Sequence, residues 1–354
     1  MEQNLFVSKA APAVPFVSSW KAPSNIALVK YWGKSEPQLP KNPSLSFTLS
    51  TSVTETKVNF QPATSCTFDF YFHGEKRPDF NPKIQHFIDR ITPYIPWITN
   101  YHLVISSENS FPHSSGIASS ASAMAALSLN LMDLEQHLFP TMEKDYFHKK
   151  ASFLARLGSG SASRSIEGPV TIWGKTTSCS TSSELYAVPF GSDLHPIFES
   201  YRDAILLVDH GSKVVSSTQG HQLMHKHPYA EKRFSQAAEN LNALLPIVRS
   251  GDLDAFIKIV ELEALSLHAM MMTSTPYFVL FKPNTLAIIE KIWEYRAGQK
   301  VPVCFTLDAG ANVHVLYPDE YASPVEDFIN KELAVFCEQG KYLLDRVGTG
   351  AKKM

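Results

Sequence analysis

Between Phe111 and Leu127 the chain reads Phe-Pro-His-Ser-Ser-Gly-Ile-Ala-Ser-Ser-Ala-Ser-Ala-Met-Ala-Ala-Leu. Small residues around Gly116 leave backbone N–H groups open to an anion. The Ala-rich run behind them predicts a helix whose N-terminus faces the same point, an arrangement that cradles phosphate. The hydroxyls of Ser114, Ser115, Ser119, Ser120 and Ser122 can donate to phosphate oxygens, and one of them can help hold Mg²⁺. No Gly-Lys-Ser/Thr occurs, so this is not the Walker pattern. The same residues would also make an ordinary Ser-capped helix.

Four other stretches carry chemistry-bearing side chains. Asn25-Ile26-Ala27-Leu28-Val29-Lys30-Tyr31-Trp32-Gly33-Lys34 runs an apolar strand into an aromatic and basic turn, so that two lysines can point into one cleft; a buried strand ending at a solvated turn reads the same way. Gly158-Ser159-Gly160-Ser161-Ala162-Ser163-Arg164 ends a predicted helix, as glycines do, yet its serines and arginine also make a second place for phosphate or carboxylate. Lys213-Val214-Val215-Ser216-Ser217-Thr218-Gln219-Gly220 precedes a helix that its hydroxyls could simply cap. Asp308-Ala309-Gly310-Ala311-Asn312 lies between two strands as a five-residue hairpin loop, where an aspartate is commonly only a turn-former. His221, His225 and His227 lack an acidic partner at metal-site spacing and read as surface or packing histidines, and His268 with Met270–Met272 as core or cleft lining.

The elements that must position these groups follow from periodicity and punctuation. Strands are predicted over 46–52, 55–60, 66–72, 101–107, 168–173, 204–209, 301–307 and 313–317, with the early ones suggesting an antiparallel sheet. Helices are predicted over 82–91, from the serine loop to about 137, over 143–157 and 256–272, and from Pro283 to 295. A division falls near 192–201, giving domains 1–197 and 198–354. The tail 351–354 reads as disordered.

Composition narrows the class. A chain of 354 residues with 44% hydrophobic and 19% charged residues can bury a large core in two domains. A net charge of −2 without a long basic run argues against a nucleic-acid partner. Cys66, Cys179, Cys304 and Cys337 form no CxxC pair, which fits a reducing cytoplasm. Residues 1–19 show no signal-peptide pattern, and no apolar run reaches the roughly 20 residues that span a bilayer.

Pro112-x-x-x-Gly116-Ile117-x-Ser119-Ser120-Ala121 resembles the nucleotide-phosphate loop of the galactokinase, homoserine kinase, mevalonate kinase and phosphomevalonate kinase (GHMP) superfamily. Within it, the Asn25–Lys34 signature, the Gly158–Ser165 loop and Asp-Ala-Gly-x-Asn at Asp308 look like the diphosphomevalonate decarboxylase family. Five motifs occur in the expected order from Asn25 to Asn312. Two departures stand out: His113-Ser114-Ser115 for the usual Thr-Ala-Ala, and Ala311 for Pro. The resemblance implies an α+β, GHMP-kinase-like two-domain fold, with a ribosomal-protein-S5-like N-terminal domain and a ferredoxin-like C-terminal domain around a deep cleft. It implies conversion of (R)-mevalonate 5-diphosphate and ATP to isopentenyl diphosphate, ADP, phosphate and CO₂. The alternatives are a decarboxylase of the 5-phosphate and a kinase without decarboxylation.

Carried over residue by residue, the resemblance makes Asp308, Lys30 and Arg164 catalytic, with Arg164 also forking the substrate carboxylate. Asn25, Tyr31, Trp32, Lys34, Ser159, Ser161, Ser217 and Thr218 would bind substrate. Ser107, Asn109, Gly116, Ser119 and Ser120 would bind ATP, with Mg²⁺ arriving on the nucleotide and Ser120 its one candidate protein ligand. A cytoplasmic homodimer is the assembly it implies.

Overall fold

The computed structural model describes residues 2–112, 117–191, 193–209 and 217–354. In the first half, β1 (Phe16–Val29) leads through short strands β2 (Lys34–Ser35) and β3 (Leu39–Pro40) to β4 (Ser44–Pro62), β5 (Thr67–Phe72) and β6 (Glu75–Lys76). Helix α1 (Asn81–Ile91), strand β7 (Tyr101–Asn109), helices α2 (Ser119–Leu138) and α3 (Lys144–Gly158), a 3-10 turn Gly160–Ser165, and strands β8 (Val170–Trp173) and β9 (Val188–Pro189) follow. The second half contains β10 (Arg202–Leu206), α4 (Ser217–Leu223), α5 (Ala230–Ser250), α6 (Leu253–Met272), α7 (Pro283–Gln299), β11 (Cys304–Thr306), β12 (Val313–Tyr317), α8 (Ala322–Phe328) and β13 (Tyr342–Arg346). A last strand, β14 (Lys352–Lys353), returns to the first half.

The first sheet runs β14-β1-β4-β7-β5-β6, with β8 on the far part of β4 and β9 on β8. The second is antiparallel, β11-β12-β10-β13. Three expectations are corrected here. The two strands predicted over 46–52 and 55–60 are one strand, β4. No break falls at Val53–Thr54, which pair with Pro23 and Ala22; the irregularity lies just before them, in a bulge at Ser50–Ser52 whose three backbone N–H groups all donate to the Asp345 carboxylate of β13, at 2.9, 2.9 and 2.7 Å. Strands β5 and β7 are parallel rather than antiparallel, because α1 supplies the crossover between them. The tail is ordered: Lys352 and Lys353 pair with Lys21 and Trp20, and the Lys353 ammonium meets Asp133 at 2.6 Å.

Helix α2 carries apolar or small side chains all round and is buried over nearly its whole length, as such helices must be. Its alanines let it lie close against β1 and β4, which fixes where its N-terminus points. The two halves share a core in which Phe47 of β4 meets Phe198, Tyr201 and Phe256, with ring centroids 5.8–6.3 Å away. Each such ring, fully buried, contributes roughly 1.5–3 kcal/mol. That shared core holds the C-terminal end of β1 beside α6 and the β11–β12 loop.

Candidate active site

Lys30 follows the last residue of β1 and is 1% exposed. Its ammonium lies 3.1 Å from Oδ1 of Asp308, which sits just past β11 with its side chain 29% exposed. Asn42 donates to the Lys30 carbonyl at 3.0 Å and so fixes the end of the strand. Burial pushes the Lys30 ammonium below its ordinary pKa, and Asp308 opposes that shift. In the Asp308 loop, Asn312 accepts the Asp209 N–H at 3.0 Å, and Thr285 donates to the carbonyl of Ala311 at 2.7 Å. Ala311 is buried and tied down at the position where the resemblance leads one to expect proline.

Arg164, at the end of the 3-10 turn, is buried. Its Nε donates to Ser46, its Nη1 donates to Ser44 at 2.8 Å, and its guanidinium lies 5.6 Å from the centre of the Trp173 ring. Nη2 has no hydrogen-bond partner among the described residues, so half of the fork is available to an acceptor. Burial lowers its pKa to about 10 while Asp308 and Tyr31 raise it, so all three groups occupy one electrostatic neighbourhood.

Asn25 ties β1 to the turn, its Nδ2 donating to the Ser161 carbonyl at 3.1 Å and to Ser165 Oγ at 2.7 Å. Among the described residues its buried Oδ1 has no partner, nor has the hydroxyl of Tyr31. The Tyr31 ring lies 4.6 Å from Trp173 and 4.4 Å from His221. Residue 160 must be glycine for Tyr31 to fit, since a Cβ there would stand 2.8 Å from the phenol oxygen. Trp32 packs 4.7 Å from the other side of His221, whose Nδ1 accepts the Gly33 N–H at 2.9 Å. Lys34 is buried and donates to Gln38 at 2.9 Å. Lys30, Lys34, Arg156 and Arg164 are all buried here, against Asp308 and the exposed Glu36. A closed region with that excess of cations attracts a polyanion.

Where the resemblance leads one to expect ATP, Ser107, Asn109, Ser119 and Ser120 line one cavity of about 110 Å³ with Phe70, Phe80 and Met124. Ser107 is held by Thr56 at 2.9 Å, and Asn109 by Thr54 at 2.8 Å. Ala118 enters α2 with φ 42°, a left-handed conformation that costs a residue with a Cβ about 1–2 kcal/mol. The hydroxyls of Ser120 and Ser159 are 3.2 Å apart, which joins the phosphate side to the Ser/Arg turn. Gly116 lies outside the described residues, as does Ser216; Ser217 and Thr218 open α4, and their side chains lie outside the description too.

One residue of this region was not singled out from the sequence. Lys83 lines the cavity from the first turn of α1, where a lysine opposes the helix dipole; that misplaced charge was the available signal. His221, read with His225 and His227 as a surface or packing histidine, packs buried against the rings of Tyr31 and Trp32, while His225 is exposed. Among the described residues no group of three or more His, Cys, Asp or Glu could hold a metal ion.

Comparison with known proteins agrees with this geometry. The profile of the diphosphomevalonate decarboxylase-like N-terminal domain matches residues 22–184, and that of the mevalonate 5-diphosphate decarboxylase C-terminal domain matches 204–347. A diphosphomevalonate decarboxylase from Ganoderma lucidum is 31% identical, over 88% of this chain and 80% of its own. A phosphomevalonate decarboxylase from Haloferax volcanii is 26% identical, over 85% and 88%. The solved structure of MDDEF in complex with MVAPP, AMPPCP and magnesium superimposes with a TM-score of 0.82 at 26% identity, over 96% of this chain and 99% of that one. With its motifs, fold and cleft in agreement, the chain belongs to the diphosphomevalonate decarboxylase family.

Proposed function

We propose that this protein catalyses the ATP-dependent decarboxylation of (R)-mevalonate 5-diphosphate to isopentenyl diphosphate, releasing CO₂, ADP and phosphate. The observation that carries the reading is the Lys30–Asp308 pair at 3.1 Å, half open to the cleft, with Arg164 beside it holding an unused donor. A tertiary hydroxyl leaves poorly. Asp308 accepts or orients its proton as oxygen attacks the γ-phosphoryl group, and Lys30 keeps the carboxylate ionised. Departure of the new phosphate takes the C–O electron pair, leaving an electron-poor carbon next to the one bearing the carboxylate. Cleavage of the C–CO₂ bond returns a pair and forms the alkene. Arg164 holds the carboxylate in line for that step, so no pyridoxal or thiamine electron sink is required.

In this reading Tyr31, Lys34, Ser159, Ser161, Ser217 and Thr218 hold the diphosphate, with Asn25 and Trp32 shaping the substrate's side of the cleft. Ser107, Asn109, Gly116, Ser119 and Ser120 hold ATP. Support comes from MDDEF, whose complex contains MVAPP, an ATP analogue and magnesium. Ser120 would hold a Mg²⁺ ion that neutralises charge on the triphosphate. Residues 1–197 bind the nucleotide and 198–354 supply Asp308. We place the enzyme in the cytoplasm as a homodimer; its four free cysteines support the reducing compartment, and none of the described helices is long and apolar enough to cross a membrane.

A second reading, a decarboxylase of the 5-phosphate, rests on the Haloferax relative. The surplus of buried cations favours the diphosphate. ADP and CO₂ measured together with mevalonate, its 5-phosphate and its 5-diphosphate decide among the readings. Equimolar ADP and CO₂, with the highest kcat/KM on the diphosphate, is expected; ADP without CO₂ on all three substrates would leave a kinase.

A further inference from the structure

Helix α6 touches both members of the Lys30–Asp308 pair through their backbones rather than their side chains. Glu263, fully buried, accepts the Lys30 backbone N–H at 2.9 Å. The same carboxylate takes Nη1 of Arg233 at 3.0 Å, its Nη2, and Nδ2 of Asn240 at 2.5 Å, so α5 holds it rigidly from behind. Five residues on, His268 is 1% exposed and its Nε2 lies 3.1 Å from the Asp308 carbonyl. A carbonyl only accepts, so Nε2 is the donor. The imidazole lies flat on Phe281, with ring centroids 4.1 Å apart and planes 9° apart, which sets the direction of that bond.

We infer that α6 is the gauge that sets the separation of the catalytic pair, with Glu263 and His268 as positioning residues that index β1 to the β11–β12 loop. The inference rests on the catalytic reading of Lys30 and Asp308. Lys30 arrives from the first half of the chain and Asp308 from the second, 278 residues later, and no backbone hydrogen bond joins them. Helix α6 bonds to both backbones through its own side chains, at two points about 7.5 Å apart along its axis. A helix interior is stiff, so its side chains transmit a fixed spacing. Burial pushes the His268 pKa down to about 4, so the ring stays a neutral single-proton donor at working pH.

The test uses the full-length enzyme and two variants of one residue. Glutamine places an amide N–H near the position of Nε2, whereas asparagine reaches only as far as Nδ1. His268→Gln is expected to keep kcat within about threefold of wild type. His268→Asn should lose about tenfold or more in kcat, with KM for ATP and for the organic substrate unchanged, since binding groups stay in place while the reacting pair shifts. Phe281→Leu, which keeps His268 but removes the surface it lies on, should lower kcat about two- to fivefold, again without moving KM. Equal behaviour of the Gln and Asn variants, a change in KM with kcat intact, or full activity of Phe281→Leu would overturn the inference. Wild-type release of CO₂ with ADP is measured in the same series, so failure of the functional reading shows there and failure of the gauge shows only among the variants.

Discussion

Two buried lysine–carboxylate pairs in this protein have opposite purposes. Lys150 and Glu135 meet at 2.7 Å with side chains 0% and 2% exposed; Lys30 and Asp308 meet at 3.1 Å, but the aspartate is 29% exposed. Around Lys150 every capacity is taken: the ammonium also donates to Ser8 and to the Tyr94 carbonyl at 3.4 Å, and the second Glu135 oxygen accepts Trp97 Nε1 at 3.1 Å. Among the described residues, the Lys30 side chain donates only to Asp308. Burial lowers the pKa of both lysines, so titration does not separate the two sites. What separates them is exposure: one pair is closed on both sides, while the carboxylate of the other is reachable from the cleft.

The largest effect should come from emptying each carboxylate of charge. Asp308→Asn is expected to lower turnover on the order of 10³-fold with ATP binding nearly unchanged, at some cost in stability because it too takes the counter-charge from a buried ammonium. Glu135→Gln should leave kcat within about twofold yet cost about 3–5 kcal/mol of stability, because it strands a buried ammonium. Turnover and denaturant midpoints for the two variants would break the comparison if their effects were exchanged.

A second contrast concerns alkaline pH. Because burial holds Lys30 below its ordinary 10.5, its ammonium is lost as pH rises through that lowered value, and kcat should fall there. Lys30→Arg, whose guanidinium does not titrate, should remove this limb at reduced kcat, whereas Lys150→Arg should leave it in place. Rate profiles to high pH for both variants read this directly.

The smallest effect is in acid stability. His221, walled in beside Lys34 and Arg164, has its pKa pushed down to about 3 by burial and by those two cations, from 6.5 in the unfolded chain. Between those values the unfolded state binds a proton that the folded state refuses. Stability is therefore full above 6.5 and falls by up to about 1.4 kcal/mol per pH unit below it for this one histidine. His221→Gln should flatten that slope in denaturant titrations at pH 4 to 7.

The cleft was legible where chemistry is written in local order. Lys30, Arg164 and Asp308 could be picked out because each lies in a short run that resembles a family motif, although by themselves those runs read equally as a strand end, a helix cap and a turn, and the structure brings the three together. What escaped is what depends on distant partners. Nothing in residues 50–54 announces that Asp345 will hold a bulge at Ser50–Ser52 and let the strand run on through Val53 and Thr54, so one strand read as two. The lysines of the tail look solvated until Asp133 and the edge of β1 stand beside them. Glu263 and His268 lie on an ordinary amphipathic helix, and their contacts with Lys30 and Asp308 exist only after the two halves meet. The order of β5 and β7 was hidden for a related reason: a helix of modest length allows a parallel crossover, but alternation along a strand does not report its direction.

The central claim is that the Lys30–Asp308 pair directs the tertiary hydroxyl onto phosphorus before carbon dioxide leaves. Substrate carrying ¹⁸O in that hydroxyl tests it most directly. If the account holds, the label is recovered in inorganic phosphate, one atom for each CO₂ released; label appearing in water, with unlabelled phosphate, would contradict it.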